Sequence, residues 1–450
     1  MKKNKFPALK SAPRRVVLIF ENFAHSEAIG SALLLSATIV ALLWANSQWA
    51  ELYENILHSK LGVTIGAEAF TLSFHQIIND GLMTLFFLVV GLEIKREIAV
   101  GELSSRSKAL LPVMAALGGM LAPATIFLLF NAGKLGERGW GIPMATDIAF
   151  ALGILALLGE RVPTGLKIFL TALAIADDLG AVMVIALFYT TNLNFFSLGI
   201  AIILLMIIIG TGKLNIRRTE VYVLLALGVW LAILASGVHA TVAGILIALT
   251  IPVRARANPR ELIQIGREKL DQLEQQALDK DSMLRDRAQL ETINELYAVT
   301  GALRPVGLAI EEYIHPILVW LILPLFALFN AGIHFSGNAL EAFTQPVTLG
   351  VIFGLVVGKQ IGVTLFAWLA HKFGRAQLPA NVSWKQIYAV SWLCGMGFTM
   401  SLFITELAFS SVALIQDAKV GILAASLVAG VVGYLLLRQW LPKEGDAQTI

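Results

Sequence analysis

Ile168–Tyr189 reads IFLTALAIADDLGAVMVIALFY and carries Asp177 and Asp178 side by side in an otherwise apolar stretch. A helix needs about 20 apolar residues to cross the hydrocarbon of a bilayer, and this run is long enough. Each carboxylate placed there costs ~2.5–3.5 kcal/mol by insertion scales. Packing alone does not account for two adjacent ones, so they point to a path for a cation, for protons, or for both. Neighbouring helix residues project ~100° apart. One aspartate can therefore meet a partner side chain while the other faces a cavity.

The rest of the chain agrees with a membrane setting. Of its 450 residues, 57% are hydrophobic and only 14% are charged, against about 25% charged in a soluble domain. Apolar runs recur about twelve times between Gly30 and Leu437. They are continuous, not alternating, which argues against a barrel and leaves helices as the elements that satisfy their backbone in lipid. The expected fold class is an all-α integral membrane protein of about 12 transmembrane helices. Twelve spans put both termini on one side, and 29 of the 34 Lys and Arg then lie in segments on that side. Lys60, Lys134, Arg138 and Lys419 fall on the other side, and Lys359 lies inside the tenth span. This asymmetry makes the shared side cytoplasmic. It also explains the net charge of +3 as topology, with no nucleic-acid partner. The single cysteine, Cys394, excludes an intrachain disulfide and a thiolate metal cluster.

Residues 1–26 read as a basic cytoplasmic N-terminus, 27–440 as one membrane transport domain and 441–450 as a cytoplasmic tail. Two segments inside the domain leave the membrane. Residues 61–74, rich in Val, Thr, Ile and Phe, predict a β-hairpin on the outer face. Its open edge suits pairing with a second copy, which would give a homodimer. Residues 254–304 hold nine basic and nine acidic residues, with Leu262, Ile265, Leu270 and Leu273 at helical spacing. Asn258, Pro259 and Glu261 supply an N-cap, a first-turn proline and a capping acid, which predicts a cytoplasmic helical insert.

Five ionisable residues fall inside the spans: Asp147, Asp177, Asp178, Lys359 and Glu406. Lys359 is the natural partner for one aspartate of the pair. Gly141 and Pro143 precede Asp147 in the fourth span, Trp140–Leu158, and Cys394-Gly-Met-Gly397 weakens the eleventh, Ile387–Phe409. Paired interrupted helices are the best sequence pointer to a transporter ion site. Asp147 would offset the positive half-helix ends and Lys359 the negative ones, and Thr146 adds a hydroxyl for a cation. Close carboxylates titrate as a coupled unit, and sodium, a hard cation, prefers oxygen ligands. Ion and protons would compete for the same oxygens, and that competition alone yields exchange. His239 precedes a run of small residues and reads either as packed or as pH-responsive. Glu93 and Glu97 lie near water, where solvation and proton sensing compete. Glu406 receives no role.

These residues carry a resemblance. Ala145-Thr-Asp-Ile-Ala-Phe-Ala151, Thr171-Ala-Leu-Ala-Ile-Ala-Asp-Asp-Leu-Gly-Ala181, Gly91-Leu-Glu-Ile-Lys-Arg-Glu97, Gly237-Val-His-Ala-Thr241, Gly358-Lys359 and Gly395-Met-Gly-Phe-Thr-Met-Ser401 resemble the NhaA-type sodium/proton antiporters. The likeness runs in order from the second span to the eleventh. It implies an inverted-repeat transporter fold with spans 4 and 11 crossed and interrupted. It implies a multi-pass protein of the bacterial inner membrane that works in pH and sodium homeostasis. Asp178 would be the main ligand for Na+ or Li+, Asp177 a proton carrier paired with Lys359, and Thr146 an assistant. Asp147 and Lys359 would balance the broken helices, and Glu93, Glu97, His239 and Glu311 would serve the pH response. Exchange of two protons per ion would make transport electrogenic. Na+, Li+ and H+ are then substrates, membrane lipids the surroundings, and no cofactor is expected. Three features depart from the pattern: Glu312 ahead of His315, the extra acid Glu406, and the long insert.

Other readings fit less well. A retinal pump would have about seven spans. An intramembrane aspartyl protease needs two acids facing each other from separate helices, whereas these are neighbours on one, so an enzyme is not expected. A cation channel or a sodium-coupled organic-anion symporter could use the same site. High conductance would mark the first, and substrate-dependent sodium entry the second.

Overall fold

The computed structural model describes residues 27–65, 68–190, 193–214, 218–253, 259–275, 287–303, 305–334, 339–374 and 376–442. The segment 1–26, the Asn258 cap and most of the tail lie outside these residues, as do 254–258, 276–286 and 304 of the insert.

The first helix, α1 (Glu27–Ala45), is followed by a short surface helix, α2 (Ala50–His58). Strands β1 (Lys60–Ile65) and β2 (Glu68–Ser73) form the expected antiparallel hairpin, with Lys60 opposite Ser73 and Val63 opposite Phe70. A Ser73–Gln76 capping box then starts α3 (Phe74–Val100), followed by α4 (Arg106–Asn131). The fourth span is a 3-10 segment, Glu137–Met144, an extended break, and α5 (Ile148–Leu157). Next come α6 (Thr164–Phe188), α7 (Phe195–Lys213), and two shorter apolar helices, α8 (Thr219–Leu234) and α9 (Ala240–Thr250). Helices α10 (Pro259–Glu274) and α11 (Arg287–Leu303) pack on each other as the helical insert, tied by a 2.6 Å Lys269–Glu295 ion pair. The chain returns through α12 (Val306–Asn330) and α13 (Pro346–Gly374). The eleventh span, α14 (Trp384–Cys394) and α15 (Phe398–Ala408), bends by 44°. The last helix is α16 (Val412–Trp440).

Among the described residues, nine helices are long and apolar enough to cross a membrane. The bent pair makes ten, and the seventh and eighth of the twelve apolar runs are the shorter helices α8 and α9. The hairpin and the insert therefore lie at opposite ends of α3, because Lys95 near its far end reaches the last carbonyls of α9, Leu249 (2.8 Å) and Ile251. We call these ends the hairpin side and the insert side.

Without water to drive them together, membrane helices associate by close packing of small residues. Gly118 of α4 and Gly362 of α13 meet backbone to backbone: a Cβ on Gly362 would stand 2.0 Å from the Gly118 carbonyl oxygen. Helix α9 lies equally close to α3, where a Cβ on Gly244 would stand 2.4 Å from the Thr84 carbonyl oxygen. Three π-turns interrupt the long helices, at Ile77–Leu82, Leu318–Ile322 and Gly354–Gly358. The last immediately precedes Lys359, and π-bulges are frequent at functional sites.

One boundary differs from expectation. The final helix starts at Val412, so Lys419, placed by its charge in an outer segment, sits inside α16 and is buried. It makes a 2.9 Å ion pair with Glu406, which also stands 3.5 Å from His75. This gives Glu406 a partner that its position in an apolar run did not suggest.

Candidate functional site

The two interrupted spans meet at their breaks. Ala145–Asp147 is extended between the 3-10 segment and α5, and Gly395–Gly397 separates α14 from α15. The Asp147 N–H donates to the Met396 carbonyl at 2.6 Å. Each break leaves helix-end groups without an intrahelical partner, and side chains supply the partners. Asp147 Oδ1 accepts from the Phe150 N–H (3.1 Å), capping α5. Its Oδ2 accepts from the N–H and hydroxyl of Thr399 (2.9 and 2.5 Å), capping α15. One carboxylate thus faces two positive helix ends, where negative charge is favoured. Ser401 Oγ donates to the Ile142 carbonyl at 2.7 Å, adding another link between the two spans.

Lys359 lies on the other side of the breaks. Its ammonium donates to the Met144 carbonyl, at the end of the 3-10 segment, and to Asp177 Oδ2. Its stem passes the Gly119 position, whose Cβ would be 3.7 Å from Nζ. Thr146 Oγ1 stands 3.1 Å from Lys359 Nζ, 2.7 Å from Asp177 Oδ2 and 3.0 Å from the Cys394 carbonyl. A hydroxyl has one proton, and the shorter contact gives it to Asp177. Lys359 and Asp177 are both fully buried, at 0% exposure.

Asp178 is 1% exposed, and its Oδ1 has no hydrogen-bond partner; neither has Oδ1 of Asp177. Buried polar atoms are nearly always paired. The two orphaned oxygens leave acceptor capacity beside a network in which the other oxygen of Asp177 is already engaged.

A cavity of about 370 Å³ approaches this centre. Glu93, Arg96, Asp147, Thr171, Ile175 and Thr399 are among its lining residues. Asp178 is not. Ile175, which lines it, sits one helical turn before Asp178 on the same face, where residues three apart are neighbours. On α6 the lining is formed by Thr171 and Ile175, not by the second aspartate.

Of the four residues expected to serve the pH response, Glu93, Glu97 and Glu311 gather around Arg96 at one end of α3, and His239 lies apart. Glu93 lines the cavity. Glu311 forms an ion pair with Arg96. Glu97 accepts the Glu102 N–H at 2.9 Å and so holds the turn after α3. His239 is at the opposite end of α9 from Lys95, about 16 Å away by helix rise, beside the Tyr189 backbone on the hairpin side. Sequence reasoning missed Thr399 and Arg96 as individual contributors. Both lie in stretches quoted above, Arg96 in Gly91–Glu97 and Thr399 in Gly395–Ser401, where neither received a role of its own.

The description "Na+/H+ antiporter 1" belongs to the family model that matches residues 21–437. A Na(+)/H(+) antiporter NhaA of Oleidesulfovibrio alaskensis is 47% identical over 421 residues, covering 93% of each chain. One of Bordetella parapertussis is 47% identical over 97% of this chain and 100% of its own. One of Yersinia pseudotuberculosis is 43% identical over 96% and 99%. With a family model along nearly the whole length, and relatives at this identity whose sequences are almost fully covered, the chain belongs to the Na+/H+ antiporter 1 family.

Proposed function

We propose that this chain is a sodium/proton antiporter of a bacterial membrane, in which a cation and protons compete for Asp178 and Asp177. Its relatives carry that activity in their names. The observation that carries the site assignment is Asp178: a buried carboxylate with an orphaned oxygen, next to an aspartate already bound by a lysine. Sodium or lithium would enter through the cavity and bind Asp178. Asp177 would carry a proton, exchanging Lys359 as its partner. Asp147 and Lys359 would hold the two breaks, with Thr146 positioning Asp177.

The finer reading is electrogenic export, two protons entering for each ion, with both termini cytoplasmic. Each net charge moved would couple to voltage by ~2.3 kcal/mol per 100 mV. Residues 27–440 would act as one transport unit, with 254–304 on the cytoplasmic face. The open edge of the β1–β2 hairpin would pair with that of a second copy. The symporter and channel readings gain no support from the relatives.

The test uses inside-out vesicles from a host without its own sodium exporters. Respiration sets a pH gradient, and a fluorescent dye reads it. Sodium or lithium should collapse the gradient, potassium should do little, and Asp178→Asn should be silent. Full exchange by Asp178→Asn would remove it from the ligand role. No response to any cation across pH 6.5–9 would remove proton exchange altogether.

A further inference from the structure

Lys359 turns toward Asp177, but the next residue, Gln360, turns into a separate groove of about 660 Å³ against α13 and α14. Trp368, Trp384, Tyr388 and Trp392 make much of its wall. Ile361, Leu365 and Trp368 are exposed by 52, 45 and 41%, so the groove opens outward from the bundle, where lipid lies. At its floor Gln360 is 3% exposed, and both Oε1 and Nε2 lack a hydrogen-bond partner. Trp392 Nε1, in the same groove, lacks one as well.

An acyl chain would fill the apolar walls and leave all three atoms orphaned, since hydrocarbon offers no hydrogen bonds. Buried groups of this kind ordinarily find partners. The groove's lining contains no charged side chain, so a phosphate or ammonium head would be desolvated without a counter-charge. The size is that of a small-molecule site, mostly apolar with a few convergent polar groups.

We propose that this groove binds a membrane-dissolved neutral amphiphile whose head both donates and accepts hydrogen bonds, a carboxamide being the best match. The head would pair reciprocally with the Gln360 amide, its oxygen also accepting from the Trp392 indole. The apolar body would run along α13 from Gln360 toward Trp368, ~12 Å by helix rise. The site is distinct from the transport centre. It nevertheless abuts the eleventh-span break, because a Cβ on Gly395 would stand 3.0 Å from Gln360 Nε2.

The experiment is equilibrium binding of radiolabelled decanamide to the full chain in nanodiscs. Saturable binding of one molecule per chain is expected, with unlabelled decane and decyl sulfate competing at least about tenfold more weakly than decanamide. Removing the hydrogen bonds should weaken binding, about fivefold in Gln360→Leu and two- to fivefold in Trp392→Phe. Trp392→Phe keeps the aromatic wall and serves if Gln360→Leu does not fold. Asp178→Asn should bind as the wild type does, which separates this outcome from the transport assay. Uptake that never saturates, decane competing as well as decanamide, or binding by both groove variants as tight as the wild type's would overturn the proposal.

Discussion

Thr399 gives both its backbone N–H and its hydroxyl to one oxygen of Asp147, at 2.9 and 2.5 Å, from across the two breaks. The other oxygen of Asp147 caps its own half-helix. A single carboxylate therefore holds the starts of α5 and α15 in register, and the oxygens of Asp177 and Asp178 are placed against that frame.

Replacing Asp147 should loosen both half-helices at once. An N-cap contributes ~0.5–2 kcal/mol, so Asp147→Ala should lose about 1–4 kcal/mol. Thr399→Val keeps the N–H bond and loses only the hydroxyl, so it should lose about 0.5–1.5 kcal/mol. Thermal unfolding in detergent, followed by tryptophan fluorescence, should rank wild type above Thr399→Val above Asp147→Ala. The double variant should be no less stable than Asp147→Ala by more than ~0.5 kcal/mol, because one interaction is removed twice. Additive losses would mean that the two residues act separately.

The Asp177–Lys359 pair predicts a different pattern. Removing one partner of a buried pair leaves an uncompensated charge and costs ~3–5 kcal/mol, whereas removing both can be neutral. Lys359→Ala should thus unfold at a clearly lower temperature. Asp177→Asn combined with Lys359→Met should recover most of the loss while transport stays absent. A Lys359→Ala protein as stable as the wild type would sink the pairing as a structural element.

How much of the fold and site was legible in the sequence depends on the cost of burial. Asp177, Asp178 and Lys359 stood out because a charge in an apolar run demands a reason, and a lone membrane base has few candidate partners. The broken spans showed through Gly141, Pro143, Gly395 and Gly397. Thr399 was silent, because a helical threonine ordinarily bonds its own backbone and nothing local marks one that reaches another span. The π-turn before Lys359 was silent too, since its residues, Gly354–Gly358, read as ordinary helix. Lys419 misled: Gln416, Asp417 and Lys419 look like a loop, yet α16 runs through them and Lys419 pairs with Glu406. Of the pH group, Glu93, Glu97 and Glu311 gather around Arg96, while His239 stands at the start of α9, the end away from Lys95.

Arg96 lines the cavity and is joined to Glu311 as an ion pair on the insert side. Glu311→Gln leaves Arg96 positive beside the entry path, and Arg96→Gln leaves Glu311 negative. At ~10 Å in water-like surroundings a unit charge shifts a cation's energy by ~0.4 kcal/mol, about twofold in occupancy. The half-maximal sodium concentration should therefore rise about twofold in Glu311→Gln and fall about twofold in Arg96→Gln. Both shifts should shrink when choline chloride is raised from 10 to 150 mM, as screening requires. The opposite order, or insensitivity to salt, would place the pair outside the ion's path.

Lys359 reaches Met144 and Asp177 because α13 lies directly on α4. At Gly362 a Cβ would stand 2.0 Å from the Gly118 carbonyl oxygen, and backbone cannot rotate away as a side chain can. Gly362→Ala should push the helices apart, costing ~1–3 kcal/mol as other overpacked sites do, and should carry Lys359 away from Asp177. Gly199 in α7 offers the control, since a Cβ there meets nothing within 4 Å. Gly199→Ala should raise stability slightly, by up to ~1 kcal/mol, through helix propensity alone. The decisive comparison is transport at equal protein amount: Gly362→Ala should lose most of its sodium-driven gradient collapse while Gly199→Ala keeps it. Equal transport by the two would mean that the close crossing of α4 and α13 does not position the lysine.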